Sequence, residues 1–422
     1  MKSKLISYGI PLICALLPWQ TQWIFSNELI AGEATPFGVL GLYLVEILLL
    51  IVIALSGRPH LSPHANKIKS VLVAVVAFLV LTTVWSLSSV VSVVAVVHVA
   101  FAALLFLTIL DSRVDTSHVL WGFIVGLIIP VILGLVQFIS GSSGAFSWLG
   151  LAARDAARAG DAVIQGSVDI RRLRAYGSFP HPNIFGGYLA VGLISVFAFW
   201  QTVHYRKQRI VLGVIAGLMA IGLVLTFSRS AWLGLALAVL TGAVILRVKK
   251  IALAKKIALT VTGVFIAAIF IASFNQIFTR PGSSAEFEQR SFQERSAQIQ
   301  DYPSVLANHW LFGFGAHAYP FVYETVFPDR SVWDYQPVHN ILLLLLAEVG
   351  VIGLGLMIFF AASIDRMNFA RFPDKRAVAA FMMGNTLLFV LFFDHYLWTN
   401  WAGLALGAYV LALTVRLGED SK

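Results

Sequence analysis

His339 and Asn340 stand at the mouth of a long apolar run, QPVHNILLLLLAEVGVIGLGL, residues 336–356, and Glu348 lies inside it. An imidazole, with an ordinary pKa of about 6.5, exchanges protons near neutrality and suits acid/base work at a membrane–water boundary. A lone histidine at such a boundary also serves as a structural cap. Pro337 keeps the preceding chain from continuing as helix and leaves backbone N–H groups exposed where the run begins. Glu348 follows His339 after about 900° of helical rotation and about 13 Å of rise. It therefore faces away from the histidine and lies below it, so the two do not form a catalytic pair. Its carboxylate is expected to bond to a neighbouring helix. Gly350, Gly353 and Gly355 are expected to mark a close helix contact.

Two other stretches carry cationic chemistry. In RAYGSFPHPNIFGGYLA, residues 174–190, Gly177, Pro180 and Pro182 fix the backbone as a helix begins, and Gly186 and Gly187 allow close packing. Arg174 and His181 are thereby expected near the lipid headgroups, where they suit a bound anion or a rigid helix start with interfacial side chains. In TFSRSAWLGL, residues 226–235, two apolar spans are joined by almost nothing, so Arg229 stays close to the membrane surface even when it snorkels. A substrate anion at that depth would meet it, and so would the phosphate of an ordinary lipid. DHYLWTN, residues 394–400, could add Asp394 and His395 to the same face, but reads better as an interfacial aromatic belt. No HExxH or DxD pattern is present, and the histidines are not spaced as metal ligands, so no metal is expected.

The elements that must position these residues are membrane helices. With 59% hydrophobic residues and only 12% charged, the chain is far too apolar for a soluble domain. Apolar stretches of about 20 residues recur along it. The expected fold is all-α, a polytopic membrane bundle of about twelve transmembrane helices. They lie near 5–23, 36–55, 70–86, 89–110, 118–139, 183–201, 209–227, 231–246, 257–275, 340–362, 377–393 and 399–415. Cys14 is the sole cysteine, which excludes an intrachain disulfide and a thiolate metal site. Lys2 and Lys4 open a first helix with no convincing small-residue cleavage site after it, so it is read as retained rather than as a secretion signal.

With the N-terminus inside, most of the basic residues and every lysine fall in the cytoplasmic segments, as the positive-inside rule demands, and both termini are cytoplasmic. The net charge of +9 is mostly this topology signal and implies no nucleic acid. The remaining cations are all arginines: Arg154, Arg158, Arg171, Arg172, Arg174, Arg229, Arg280, Arg290, Arg295 and Arg330. Long loops can cross a membrane regardless of charge, but an external surface of guanidinium forks also suits phosphate, which arginine grips bidentately.

The segments divide into N-terminal transmembrane helices at 1–139, transmembrane helices with a first large external loop (140–182) at 140–275, a large extracytoplasmic cap loop at 276–339, and C-terminal transmembrane helices at 340–422. In the cap, short amphipathic patterns and the aromatics Phe287, Phe292, Trp310, Phe312, Phe314, Tyr319, Tyr323, Trp333 and Tyr335 argue for a folded, helical loop domain.

The order of these motifs, with NHWLFGFGAHAY in the large loop, resembles the bacterial O-antigen ligase and O-antigen polymerase superfamily, strongly over about residues 170–360 and by topology alone before that. The resemblance implies glycan transfer from a polyprenyl pyrophosphate carrier to an acceptor hydroxyl, at the extracytoplasmic face of the cytoplasmic membrane, with neither cofactor nor metal. It makes His339 the catalytic histidine and Arg174 and Arg229 the arginines that hold pyrophosphate. Arg295, in QERSAQIQ, looks like the arginine that opens the helical part of the cap. The stretch RDAARAGDAVIQGSVDIRRLR departs from the family pattern and leaves the substrate-binding roles of Arg171 and Arg172 open.

The implied chemistry fits these residue types. Breaking a glycosyl pyrophosphate bond develops negative charge on the leaving group, which preorganised guanidinium donors can stabilise in place of a divalent cation. A base such as His339 would take the acceptor's proton, and direct displacement would invert the anomeric configuration. His181 and Asn340 are further substrate-binding candidates, and Tyr335, Trp310 and His317 suit sugar edges in the cap. The acceptor is a glycan, a glycolipid or a protein hydroxyl, so ligase, polymerase and protein O-oligosaccharyltransferase share the scaffold. A lipid-linked sugar transporter or flippase is the rival from another class. It should line the membrane midplane with polar residues, whereas here, apart from Glu46 and Glu348, they crowd the outer face.

Overall fold

In lipid an apolar run must satisfy its own backbone, and this chain does so as helix almost throughout. The computed structural model describes residues 2–165, 171–248, 285–365 and 374–419, with 253 and 260. Helix α1 (Lys2–Leu16) leads into an antiparallel hairpin, β1 (Gln22–Ile30) and β2 (Glu33–Tyr43), which passes directly into α2 (Leu44–Ser56). Then come α3 (Pro63–Thr82), α4 (Ser89–Ile109), α5 (Thr116–Gly126) and α6 (Ile128–Ser140). A loop bearing the small pairings β3 (Ser142–Ser143) with β4 (Arg154–Asp155), and β5 (Val163–Gln165) with β6 (Arg171–Leu173), precedes α7 (Pro182–Trp200). Next are α8 (Arg206–Leu225) and α9 (Arg229–Arg247). The cap holds α10 (Ala285–Leu306) and α11 (Tyr319–Val326). The chain ends with α12 (Ile341–Asp365), α13 (Lys375–Leu391), the single turn α14 (Tyr396–Thr399) and α15 (Trp401–Glu419).

Among the described residues, eight helices are long and apolar enough to cross a membrane, α5 and α6 counting as one span, and the chain is a multi-pass membrane protein. The expected span 257–275 lies outside the described residues except for residue 260. The expected spans 5–23 and 36–55 differ most. The first helix stops at Leu16, and residues 36–43 are strand. The reason is local: Ala31 and Gly32 both adopt left-handed backbone (φ 50° and 76°), the two-residue turn that matches the twist of a hairpin. Its tip is fastened to the cap, where the Ala31 N–H donates to Glu324 Oε1 at 2.7 Å.

The cap is folded around the aromatics that the sequence singled out. Phe314, Tyr319, Tyr323 and Tyr335 are fully buried there, whereas Trp310, Phe312 and Trp333 remain exposed. The side chains of Phe287 and Phe292 lie outside the described residues.

The cap is also knitted into a membrane helix. Helix α12 is broken at Gly350, whose φ of 67° and ψ of −177° are not helical. Breaking a helix orphans backbone groups, and in lipid each must find a partner. Here segment 310–315 supplies them. The N–H groups of Phe314 and Gly315 donate to the carbonyls of Ala347 and Glu348 at 3.2 and 2.9 Å. In return, those of Val351 and Ile352 donate to Trp310 and Leu311 at 2.9 and 3.3 Å. A side chain at Gly350 would overlap the Leu311 carbonyl, and one at Gly313 the backbone of Glu348. Gly350 therefore marks a junction of helix and cap, and Gly355, expected at a helix contact, faces open space.

Glu348, fully buried two residues before the break, accepts from Trp398 Nε1 at 2.6 Å, His317 N at 2.7 Å and Tyr319 N at 3.2 Å. It bonds to a neighbouring helix as expected, and to the cap as well.

Candidate active site

The segment before α7 is held as a rigid platform. Gln137, buried on α6, accepts from the N–H groups of Tyr176 and Gly177 at 3.0 and 2.9 Å and donates to the Gly177 carbonyl at 2.9 Å. Ser178 Oγ donates to the Pro18 carbonyl at 2.6 Å. His181 then caps α7, its Nδ1 accepting from Asn183 N at 3.1 Å, with Pro182 in the first turn. Gly186 lets α7 approach the 226–231 turn so closely that a Cβ would lie 2.8 Å from Ser228 Cβ, and Gly187 sits against the Tyr396 hydroxyl.

Arg174 emerges from this platform and is almost completely buried, at 2% exposure. Its Nε donates to the Thr226 carbonyl and one Nη to Asn183 Oδ1, both at 2.7 Å. Thr226 begins the short turn that carries Arg229. In it Phe227 holds a left-handed φ of 49°, a strained state for a bulky residue that persists only where its surroundings fix it. Arg174 thus braces the turn from below, whereas Arg229, at the first position of α9, is only partly buried. From Asn183 the chain of contacts continues. Its Nδ2 donates to Asp394 Oδ2 at 2.7 Å, and Asp394 Oδ1 accepts from the backbone N–H of His395 at 2.9 Å. The His395 ring lies edge-on to that of His339, with centroids 5.1 Å apart.

His339 itself is half-buried, with Nδ1 3.0 Å from Oε1 of Gln298 on α10. Donation of Nδ1–H to that carbonyl puts the lone pair of a neutral imidazole on Nε2. Asn340 follows, and its Oδ1 accepts from Leu342 N and Leu343 N at 3.0 and 3.2 Å, so its carbonyl caps α12.

The fold therefore brings Arg174, the Arg229 turn, Asp394, His395 and His339 into one region from four separate stretches of chain. A guanidinium and an imidazole in one region are the elements needed to bind an anion beside a proton acceptor.

The other candidates are placed differently. Tyr335, expected to meet sugar, is buried at 0% exposure; its hydroxyl donates to the Phe327 carbonyl at 2.7 Å and accepts from Arg330 N at 3.1 Å. It is a core residue of the cap because its polar tip is satisfied internally. Trp310, the other aromatic expected at sugar, is exposed on the cap loop joined to α12. Arg172 is exposed with its guanidinium 5.9 Å from the Phe138 ring, and Arg171 is half-buried in β6. Arg295 belongs to α10, and its side chain lies outside the described residues. Two of the loop arginines are occupied by carboxylates: Arg154 with Asp161 at 2.9 Å and Arg330 with Asp301 at 2.7 Å. Asn183, Gln298 and His98 carried no sequence signal, since such groups gain meaning only from their neighbours, and Glu46 was visible as an interior carboxylate without its partner His98. Asp394 and His395 were visible but read as an aromatic belt.

His317 lies in the cap loop with a left-handed φ of 58° and its Nε2 2.8 Å from the Trp398 carbonyl. Burial pushes its pKa from 6.5 down to about 4. The folded protein therefore binds this proton less readily than the unfolded chain, so stability is full above about pH 6.5 and falls as pH drops toward 4. A shift of that size corresponds to roughly 3 kcal/mol. Acid titration of the melting temperature is expected to show a loss in that window that His317→Gln reduces. Identical profiles for the two proteins would contradict the assignment.

Residues 214–358 match the O-antigen ligase family. The match runs from α8 to α12, taking in the Arg229 turn, the cap and His339 and leaving out Arg174 and Asp394. It supports the O-antigen ligase superfamily and, with it, glycan transfer of the ligase or polymerase kind. No curated protein matches the chain.

Proposed function

We propose that this glycan-transferring membrane protein takes its glycan from a polyprenyl pyrophosphate carrier and joins it to an acceptor hydroxyl at the extracytoplasmic face of the cytoplasmic membrane. The observation that carries this reading is the convergence of the Arg229 turn, braced by Arg174 at 2.7 Å, with His339 through Asn183, Asp394 and His395. Arg229 meets the pyrophosphate at the surface, and Arg174 acts beneath it as a positioning residue. As the bond between the anomeric carbon and the pyrophosphate oxygen breaks, guanidinium donors stabilise the charge left on that oxygen. His339 Nε2 takes the proton of the attacking hydroxyl, and the new glycosidic bond forms with inversion.

The test is to incubate the purified protein with polyprenyl pyrophosphate glycan and a panel of glycan, glycolipid and protein acceptors. Free polyprenyl pyrophosphate is expected to appear in step with a glycosylated acceptor. Movement of the intact donor across vesicles without release of the carrier would favour a flippase instead. The acceptor that is modified decides among ligase, polymerase and protein glycosylation.

A further inference from the structure

A cavity of about 180 Å³ lies beside the site, between the β1–β2 hairpin, α4, the cap loop and the junction of α14 with α15. Pro180 and Pro337 are in its wall, so it adjoins both the start of α7 and the segment leading to His339. Thr399, also in the wall, links it to the site: its hydroxyl is 2.7 Å from Nδ1 of His395, the ring that packs on His339.

The lining has two characters. Tyr43 and Trp401 stack on each other with centroids 6.0 Å apart, and the His98 ring packs against both, at 5.6 and 6.4 Å. Gln22, His98, His317, Thr399 and Asn400 bring polar groups to the lining, among apolar residues of the hairpin and α4. Binding sites for small ligands combine apolar walls with a few convergent polar groups. A pyranose ring has the complementary surface, with apolar C–H faces and a rim of hydroxyls. A cavity of about 180 Å³ lies below the usual range for drug-sized ligands, which suits a single sugar ring.

His98 gives the clearest sign that something polar belongs there. It is buried, at 9% exposure, with Nδ1 2.6 Å from Oε1 of the fully buried Glu46. Glu46 is itself fixed by the backbone N–H of Tyr43 at 2.8 Å. A carboxylate on one ring nitrogen orients the imidazole and sharpens the other nitrogen as a hydrogen-bonding group. Among the described residues, Nε2 has no hydrogen-bond partner, although the ring lines the cavity. A purely structural ion pair would gain from having all of its hydrogen-bonding capacity met within the protein.

The charge of the lining selects the kind of sugar. Among the described residues no arginine or lysine lines the cavity, whereas Glu348 is in its wall and Glu46 stands directly behind His98. A phosphate or a uronic acid would meet carboxylates there without a guanidinium to offset them.

We infer that this cavity is a subsite for one uncharged monosaccharide unit of a glycan substrate, held by a hydroxyl on His98 Nε2. The inference rests on the glycan-transfer reading for its biological role, but not for its binding test. Saturation-transfer NMR on the purified full chain in detergent, with methyl glucoside, N-acetylglucosamine and glucuronic acid as probes, is expected to show transfer to at least one neutral sugar and none to glucuronic acid. His98→Gln, which can still donate to Glu46, and Ala95→Leu, which fills the cavity, should each abolish the signal. Absence of transfer to both neutral sugars, equal transfer to glucuronic acid, or an undiminished signal in both variants would overturn the subsite.

In turnover, His98→Gln should raise one KM about tenfold, the scale of a single hydrogen bond. It is the donor's KM if the unit belongs to the carrier-linked glycan, and the acceptor's if it belongs to the acceptor. Neutral sugar binding without release of polyprenyl pyrophosphate would sink the transfer reading and leave the subsite standing. Transfer without sugar binding would do the reverse.

Discussion

His339→Ala is expected to slow glycan transfer by about 10²–10⁴-fold, the usual contribution of a positioned general base. The effect should be on chemistry. The side chain is half-buried, and its hydrogen bond to the neutral carbonyl of Gln298 is an interaction worth about 1 kcal/mol. The variant should therefore extract, purify and melt much as the parent does while release of polyprenyl pyrophosphate nearly stops, and added imidazole should restore part of the rate. The neighbouring ring of His395, 5.1 Å away, provides an internal comparison. If His395→Ala proves more damaging than His339→Ala, the base has been assigned to the wrong histidine. If neither slows transfer, the mechanism fails.

Gly350→Val should have the largest effect on folding. The residue combines a φ of 67° with a ψ of −177°, a conformation essentially closed to side chains, and its missing Cβ is where the Leu311 carbonyl sits. Valine must push segment 310–315 away and so breaks up to four backbone hydrogen bonds at once. Backbone strain and orphaned amides together put the cost above about 4 kcal/mol, the range reserved for a few severe mechanisms. The expected outcome is little or no monodisperse protein after detergent extraction. Gly355→Ala is the matched control, since a Cβ there meets nothing within 4 Å, and it should behave as the parent. A Gly350→Val protein with an unchanged melting temperature would show that the helix break is not essential.

Much of this organisation is legible in the chain because lipid imposes strong rules on sequence. The helical runs, the tight turn at Arg229, the helix start at Pro182 and the isolation of Glu348 from His339 all follow from length, proline placement and helical geometry. The hairpin at 22–43 does not, since its apolar strand β2 runs without interruption into the apolar helix α2, and hydropathy without a clear period cannot separate the two. Tyr335 illustrates another limit. An aromatic with a polar tip reads the same whether that tip meets a sugar or the Phe327 carbonyl. The contacts from Asn183 to Asp394, and from Gln298 to His339, join residues remote in the chain. Spacing along one sequence holds no information about such pairs.

The link from Arg174 through Asn183 to Asp394 bears on how the enzyme would let go of its leaving group. An uncompensated buried guanidinium beneath Arg229 would deepen the attraction for a multiply charged pyrophosphate both before and after the bond breaks. Tight capture of the spent carrier would then limit turnover, because attraction felt equally by reactant and product does not speed the chemical step. A carboxylate one amide away from the buried cation offsets part of that field and would leave the partly buried arginine to act at shorter range. On the proposed reaction, departure of the carrier into the bilayer would thereby stay within reach of thermal energy.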